Sequence, residues 1–97
     1  MIAISVMVEI HPEFSEKYRA AALRHANNSL TNEKGCLTFN VHAHPEDPNR
    51  FFLYEAYASE KDLKEVHQVA PYLAEFRELT TAWVKNKEIV VWQKLSA

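Results

Sequence analysis

The chain holds one cysteine and one glycine among its 97 residues. With Cys36 alone, no disulfide can form within the chain, and nothing points to an oxidising compartment. Cys36 follows Gly35 with no basic residue beside it, which favours an inert core thiol over a nucleophile. No glycine-rich phosphate loop, dinucleotide fingerprint or Ser-His-Asp order is present. Positive charge is neither in excess nor clustered. The formal net charge is −2 and no Lys/Arg run occurs, so nucleic-acid binding has no electrostatic support. No apolar run approaches the roughly 20 residues of a membrane span. The opening MIAISVMVEIHPEF lacks a basic n-region and a small-residue cleavage site, and reads as a strand rather than a signal peptide. A cytoplasmic protein without a membrane partner is expected.

What is present suffices for one core. Hydrophobic residues make up 47% of the chain, with four Tyr, five Phe and two Trp. A single domain over residues 1–97 follows. A domain this small buries a modest share of its surface, so oligomerisation would help it.

Hydrophobic periodicity places the elements. Ile2, Ile4, Val6, Val8 and Ile10 alternate with Ala3, Ser5, Met7 and Glu9, a strand pattern ended by His11-Pro12. Ser15 is a candidate N-cap. Ala, Lys, Arg, Glu and Leu then favour a helix, with Phe14, Tyr18, Ala22, Ala26 and Ser29 or Leu30 in one stripe. Gly35 suits a helix stop. Leu37, Phe39, Val41 and Ala43 alternate in a second strand, and Pro45–Asn49 reads as a turn. Residues 51–58 form a third strand without a clearly polar face, as in a strand covered on both sides. Ser59-Glu-Lys-Asp62 is a helix start. Leu63, Val66, His67 and Ala70 share one helical face. Pro71 breaks that helix and opens the next, along which Leu73, Phe76, Leu79 or Thr80, and Trp83 continue. Residues 88–95 close the chain as a fourth strand.

The order β-α-β-β-α-β is the ferredoxin-like α+β plan: a four-stranded antiparallel sheet with helices on one face. Strand one shows Ile or Val at every second position, and strand three is apolar throughout. The uncovered sheet face therefore implies a partner, most simply a homodimer with facing sheets.

His67 is the leading chemical candidate. It lies on the apolar stripe of its helix, where an imidazole can move a proton near neutral pH. The same position also suits a core histidine held by one hydrogen bond. Glu55 stands in a strand of Phe, Leu, Tyr and Ala, where an unpaired carboxylate would be costly to bury. It must reach water, pair with a cation or line a polar cavity. Strand parity groups it with Leu53 and Tyr57, opposite Tyr54. His25 and Asn27 lie beside small helix residues but about 200° apart around the helix, so at most one points inward. His42 and His44 share a strand face at a metal-binding spacing. Only Glu46 or Asp47 could add a ligand, and no metal site is expected.

Several pieces together resemble the antibiotic biosynthesis monooxygenase, or quinol monooxygenase-like, family over nearly the whole chain. They are the first strand with its long helix, Glu33-Lys34-Gly35-Cys36-Leu37, Phe52-Leu53-Tyr54-Glu55-Ala56-Tyr57 and His67-Gln-Val-Ala-Pro71-Tyr72. Within the family the chain looks most like the branch that includes the autoinducer-2 degradation isomerase. The resemblance implies a dimeric α+β barrel with a pocket between sheet and helices in each subunit. It implies oxidation of small phenols or quinols by oxygen with no metal, flavin or haem cofactor. His67, Glu55 and His25 would then be catalytic, and Asn27, Phe39, Tyr57, Tyr72 and Trp83 would bind substrate. Tyr72 stands where many members have His, and Tyr57 where many have Trp. Alternatives within the same resemblance are isomerisation of a small, phosphorylated or free hydroxyketone, haem degradation, and non-catalytic binding of an aromatic molecule by a dimer.

Overall fold

The alternating segment at the start of the chain becomes strand β1 (Ile2–Ile10) in a computed structural model that describes residues 1–96. Helix α1 (Ser15–Asn32), strands β2 (Cys36–Ala43) and β3 (Arg50–Tyr57), helix α2 (Pro71–Thr80) and strand β4 (Val84–Gln93) follow. A π-helical turn, Asp62–His67, precedes α2. The strands form one antiparallel sheet in the order β2-β3-β1-β4. The helices cover one face, which is the ferredoxin-like arrangement. Among the described residues no helix is long and apolar enough to cross a membrane.

The core lies between the helices and one sheet face. Ile4, Val6, Val8 and Ile10 of β1 pack there with Phe39, Phe51 and Leu53, under Tyr18, Ala22 and Ala26 of α1. The Ile/Val face of β1 is thus spent on the helices and is not the face awaiting a partner. The opposite sheet face carries Ala3, Ser5, Met7, Phe52, Tyr54, Val90 and Trp92, which border one open groove. Met7 and Trp92 are more than half exposed.

Five local features depart from the sequence pattern. Ser15 begins α1 but does not cap it, and its hydroxyl donates to Asn49 Oδ1 instead. Gly35 has no positive φ. It is needed for close approach, because a Cβ there would overlap the Asp62 side chain. The pairing of β2 with β3 slips between Cys36 and Thr38, a bulge that puts Cys36 inside and leaves Leu37 exposed. Finally, the second helix opens as a π turn, with Gln68 N–H donating to Leu63 O five residues back. The wider turn keeps Leu63 and His67 buried and rotates Val66 to the surface. The fourth strand also starts at Val84, four residues before the expected 88.

Candidate active site

Three buried ionisable side chains meet beneath the helices. Glu55 comes from the inward face of β3, and His67 from the end of the π turn. Glu33 comes from the extended residue that follows α1. His67 Nδ1 lies 3.0 Å from Glu33 Oε2 and 3.2 Å from Oε1. His67 Nε2 lies 3.5 Å from Glu55 Oε1. Two phenols complete the set. Tyr57 donates to Glu55 Oε1 at 2.7 Å, and Tyr72 donates to Glu33 Oε2. All three acid–base side chains are less than a tenth exposed.

The local folding explains each placement. Leu53, Glu55 and Tyr57 alternate on one side of β3, so burying Leu53 and Tyr57 carries Glu55 inward. Tyr54 points to the other sheet face, as parity requires. Leu63 and His67, four residues apart, sit together on the buried side of the π turn. Pro71 opens α2 after the extended Ala70, which places Tyr72 at its first turn beside Glu33.

Burial governs the electrostatics. Desolvation pushes the Glu55 carboxyl above the usual carboxylate range, while the Tyr57 hydrogen bond and the His67 imidazole pull it partly back. Burial, with the negative field of Glu55, drives the Tyr57 phenol far up, so it remains a donor. Burial likewise raises Tyr72, with Glu33 adding to the shift. His25 is lowered to about 4 by burial first, then by His67 and Arg77. Near neutral pH it is therefore an uncharged imidazole. Cys36 is pushed up to about 11 by burial and by Glu33 and Glu55, which suits an inert thiol.

A cavity of about 220 Å³ lies against this cluster. Its walls are mostly apolar, with Ile4 and Leu53 from the sheet and Leu63, Leu73 and Phe76 from the helices. Glu55, His67 and His25 supply its inner polar groups, and Arg77 and Lys87 also border it. His25 stacks on Phe76 with ring centroids 4.5 Å apart and meets Phe39 edge-on. Its Nδ1 is buried with no hydrogen-bond partner among the described residues.

The structure therefore brings His67, Glu55, His25, Tyr57, Phe39 and Tyr72 together. Only the first three touch the cavity. Tyr57 and Phe39 stand behind them, and Tyr72 reaches the cluster through Glu33. Asn27 and Trp83 are not brought in. Asn27 is on the exposed side of α1, opposite His25. Trp83 stacks on Phe14 at 5.7 Å and does not border the cavity. His42 and His44 lie on exposed chain, where His44 Nδ1 accepts from the Glu46 and Asp47 backbone N–H groups. No group of three metal-ligating side chains occurs among the described residues.

Glu33 is the residue that sequence reasoning missed. A signal was available: a carboxylate just past a helix C-terminus opposes the helix dipole and gains nothing from the helix. A donor elsewhere in the fold offsets that cost, and His67 and Tyr72 supply it.

Residues 1–79 match the family model for antibiotic biosynthesis monooxygenases. A search of curated proteins found no match. Solved structures are similar over nearly the full length. One, from Nitrosomonas europaea, is provisionally described as an antibiotic biosynthesis monooxygenase. It superposes with a TM-score of 0.91 at 25% identity, over 99% of this chain and 100% of that one. A protein from Bacteroides thetaiotaomicron with the same provisional description gives 0.90 at 27% identity, over 98% and 90%. A third, from Deinococcus radiodurans, gives 0.90 at 17% identity over 100% and 95%, a likeness of fold alone.

Proposed function

The chain belongs to the antibiotic biosynthesis monooxygenase family, and from that premise we propose that it oxidises a small phenol or quinol with molecular oxygen, without a cofactor. One observation carries this reading. A buried His67–Glu55 pair, able to share a proton, borders a largely apolar cavity.

The chemistry follows from those groups. The pair takes a proton from the substrate hydroxyl. The resulting phenolate is electron-rich enough to reduce oxygen itself. Substrate radical and superoxide then combine in the dry cavity to a peroxide, which recovers the proton and releases water. The substrate loses two hydrogens, one from the hydroxyl and one from the attacked carbon, and gains one oxygen atom, while the other oxygen leaves as water. The protein supplies orientation, exclusion of bulk water and proton handling. Neutral His25, with its free Nδ1, is a hydrogen-bonding contact for the substrate oxygen. Oxygen uptake with a panel of hydroquinones and anthrone-like compounds tests the proposal. Absence of uptake across the panel would count against it.

A second reading has its own support. Arg77 and Lys87 border the cavity, and neither forms an ion pair among the described residues. They suit an anionic group on the substrate, as in a phosphorylated hydroxyketone isomerised by the same acid–base pair. Turnover of such a ketone without oxygen, weakened in KM by Arg77→Gln, would favour this reading over the oxygenase.

The working unit in either reading is a homodimer. The open sheet face with Met7, Phe52, Tyr54 and Trp92 is the surface that a second copy would cover.

A further inference from the structure

We propose that Glu33 is a positioning residue of this site: it holds a proton on His67 Nδ1, so that Nε2 is the nitrogen that trades its proton with Glu55. This rests on the reading of His67 as a proton-handling group.

The geometry leads there in three steps. Glu33 is not among the residues that border the cavity, so it does not meet the substrate. Its carboxylate is nonetheless buried, and two donors converge on Oε2: the Tyr72 hydroxyl and His67 Nδ1. An ionised carboxylate only accepts hydrogen bonds. Tyr72 has one proton to give and gives it to Glu33, so the bond to His67 requires the proton on Nδ1. His67 Nε2, on the far side of the ring, then faces Glu55 Oε1 at 3.5 Å.

This arrangement leaves one proton to be shared. With Glu33 ionised, a charged His67 beside an ionised Glu55 and a neutral His67 beside a protonated Glu55 differ only in where that proton sits. The total charge of the three groups is the same in both forms. Moving the proton therefore creates no new net charge in the interior, where charge is costly. Tyr72, half-buried at the start of α2, donates to the same Glu33 oxygen from the outer side. A carboxylate that orients a histidine through its second nitrogen is a general device for fixing tautomer and ring orientation.

The test reads the tautomer directly and needs no substrate. Histidine-selective ¹⁵N labelling with long-range ¹H–¹⁵N correlation is recorded on the ligand-free parent, Glu33→Leu, Glu33→Gln and Tyr72→Phe. The parent should carry a proton on His67 Nδ1. Glu33→Leu removes the acceptor, Tyr72 turns its hydroxyl to Nδ1, and Nδ1 becomes bare. Glu33→Gln retains an acceptor oxygen, so Nδ1 keeps its proton, with the resonance moved upfield. Tyr72→Phe removes the competing donor from Glu33 Oε2, which shortens the Nδ1–H bond to it and moves that resonance downfield. A bare Nδ1 in the parent, or a protonated Nδ1 in Glu33→Leu, would overturn the proposal. If Glu33→Leu does not fold, an unmoved Nδ1–H resonance in both Glu33→Gln and Tyr72→Phe overturns it. Full turnover by His67→Gln would instead remove the functional reading and leave the tautomer result standing.

Discussion

The Tyr57 hydroxyl donates to Glu55 Oε1 across 2.7 Å, joining two side chains that stand on the same face of β3. The bond is buried, and it opposes the upward push of desolvation on the Glu55 carboxyl. Tyr57→Phe should remove about 1.5–3 kcal/mol of stability, the usual range for a hydrogen bond to a charged group. Urea unfolding measures this. A midpoint equal to that of the parent would mean that the bond contributes nothing.

His67→Gln separates catalysis from folding. A histidine that only fills the core would lose about 1 kcal/mol of hydrogen bonding. A proton-transfer histidine should lower turnover by about 10²–10⁴-fold. The expected result is a melting point close to the parent's with turnover reduced in that range. Unchanged turnover would leave Glu55 as the remaining base.

His25 gives stability a pH dependence of definite sign. Its folded value of about 4 lies below the ordinary 6.5, so between these the unfolded chain binds a proton that the native state refuses. The stabilisation is complete above the unfolded value and is lost as pH falls toward the folded one. At its largest it is about 3 kcal/mol. Glu55 works the other way, because its raised folded value makes the native state take up a proton first as pH falls. His25→Phe should therefore flatten or reverse the loss of stability on acidification. Equal slopes for parent and variant, in unfolding curves taken across this range, would refute the assignment.

Much of the frame was readable from the sequence. The period-two run of β1 and the stripe of α1 are strong patterns, because burying one face fixes a whole element. Glu55 was legible for the same reason, since its parity with Leu53 and Tyr57 decides where it points. Glu33 was hidden because its partners, His67 and Tyr72, come from chain more than thirty residues away. The outward turn of Val66 was hidden too, because a π turn has a different period from the α-helix. Leu37 was misplaced by a one-residue bulge that alternation alone does not reveal. Asn27 and His25 were separable only as alternatives, since angular spacing says that one is inside without saying which.

Gly35 offers a test of packing. A methyl at this position would overlap the Asp62 side chain, which is itself bonded to the Ser59 hydroxyl at 2.7 Å. Gly35→Ala should cost about 1–3 kcal/mol, the usual range for forcing extra atoms into a packed site. Adding Asp62→Ala should recover part of that loss, because it removes the obstructing carboxyl. A double variant less stable than Gly35→Ala alone would show that the strain lies elsewhere.

The open sheet face leads to a prediction about assembly. Sedimentation at micromolar concentration should find a dimer, and Met7→Lys with Phe52→Lys should shift it to monomer. A parent that sediments as a monomer at that concentration would rule out the facing-sheet dimer.

β1 lies between β3 and β4, so within this sheet the first strand in chain order pairs with the fourth. Ile2 is matched to Gln93, and Ile4 to Val91. During synthesis β1, α1, β2 and β3 are available long before this final partner emerges. Until then one edge of β1 is an open row of backbone donors and acceptors beside an apolar surface. Such an edge invites pairing with another nascent chain. The slow step in maturation is therefore expected to be the docking of β4, and a chaperone that shields nascent β-edges should raise the yield of native protein more than one that acts after release.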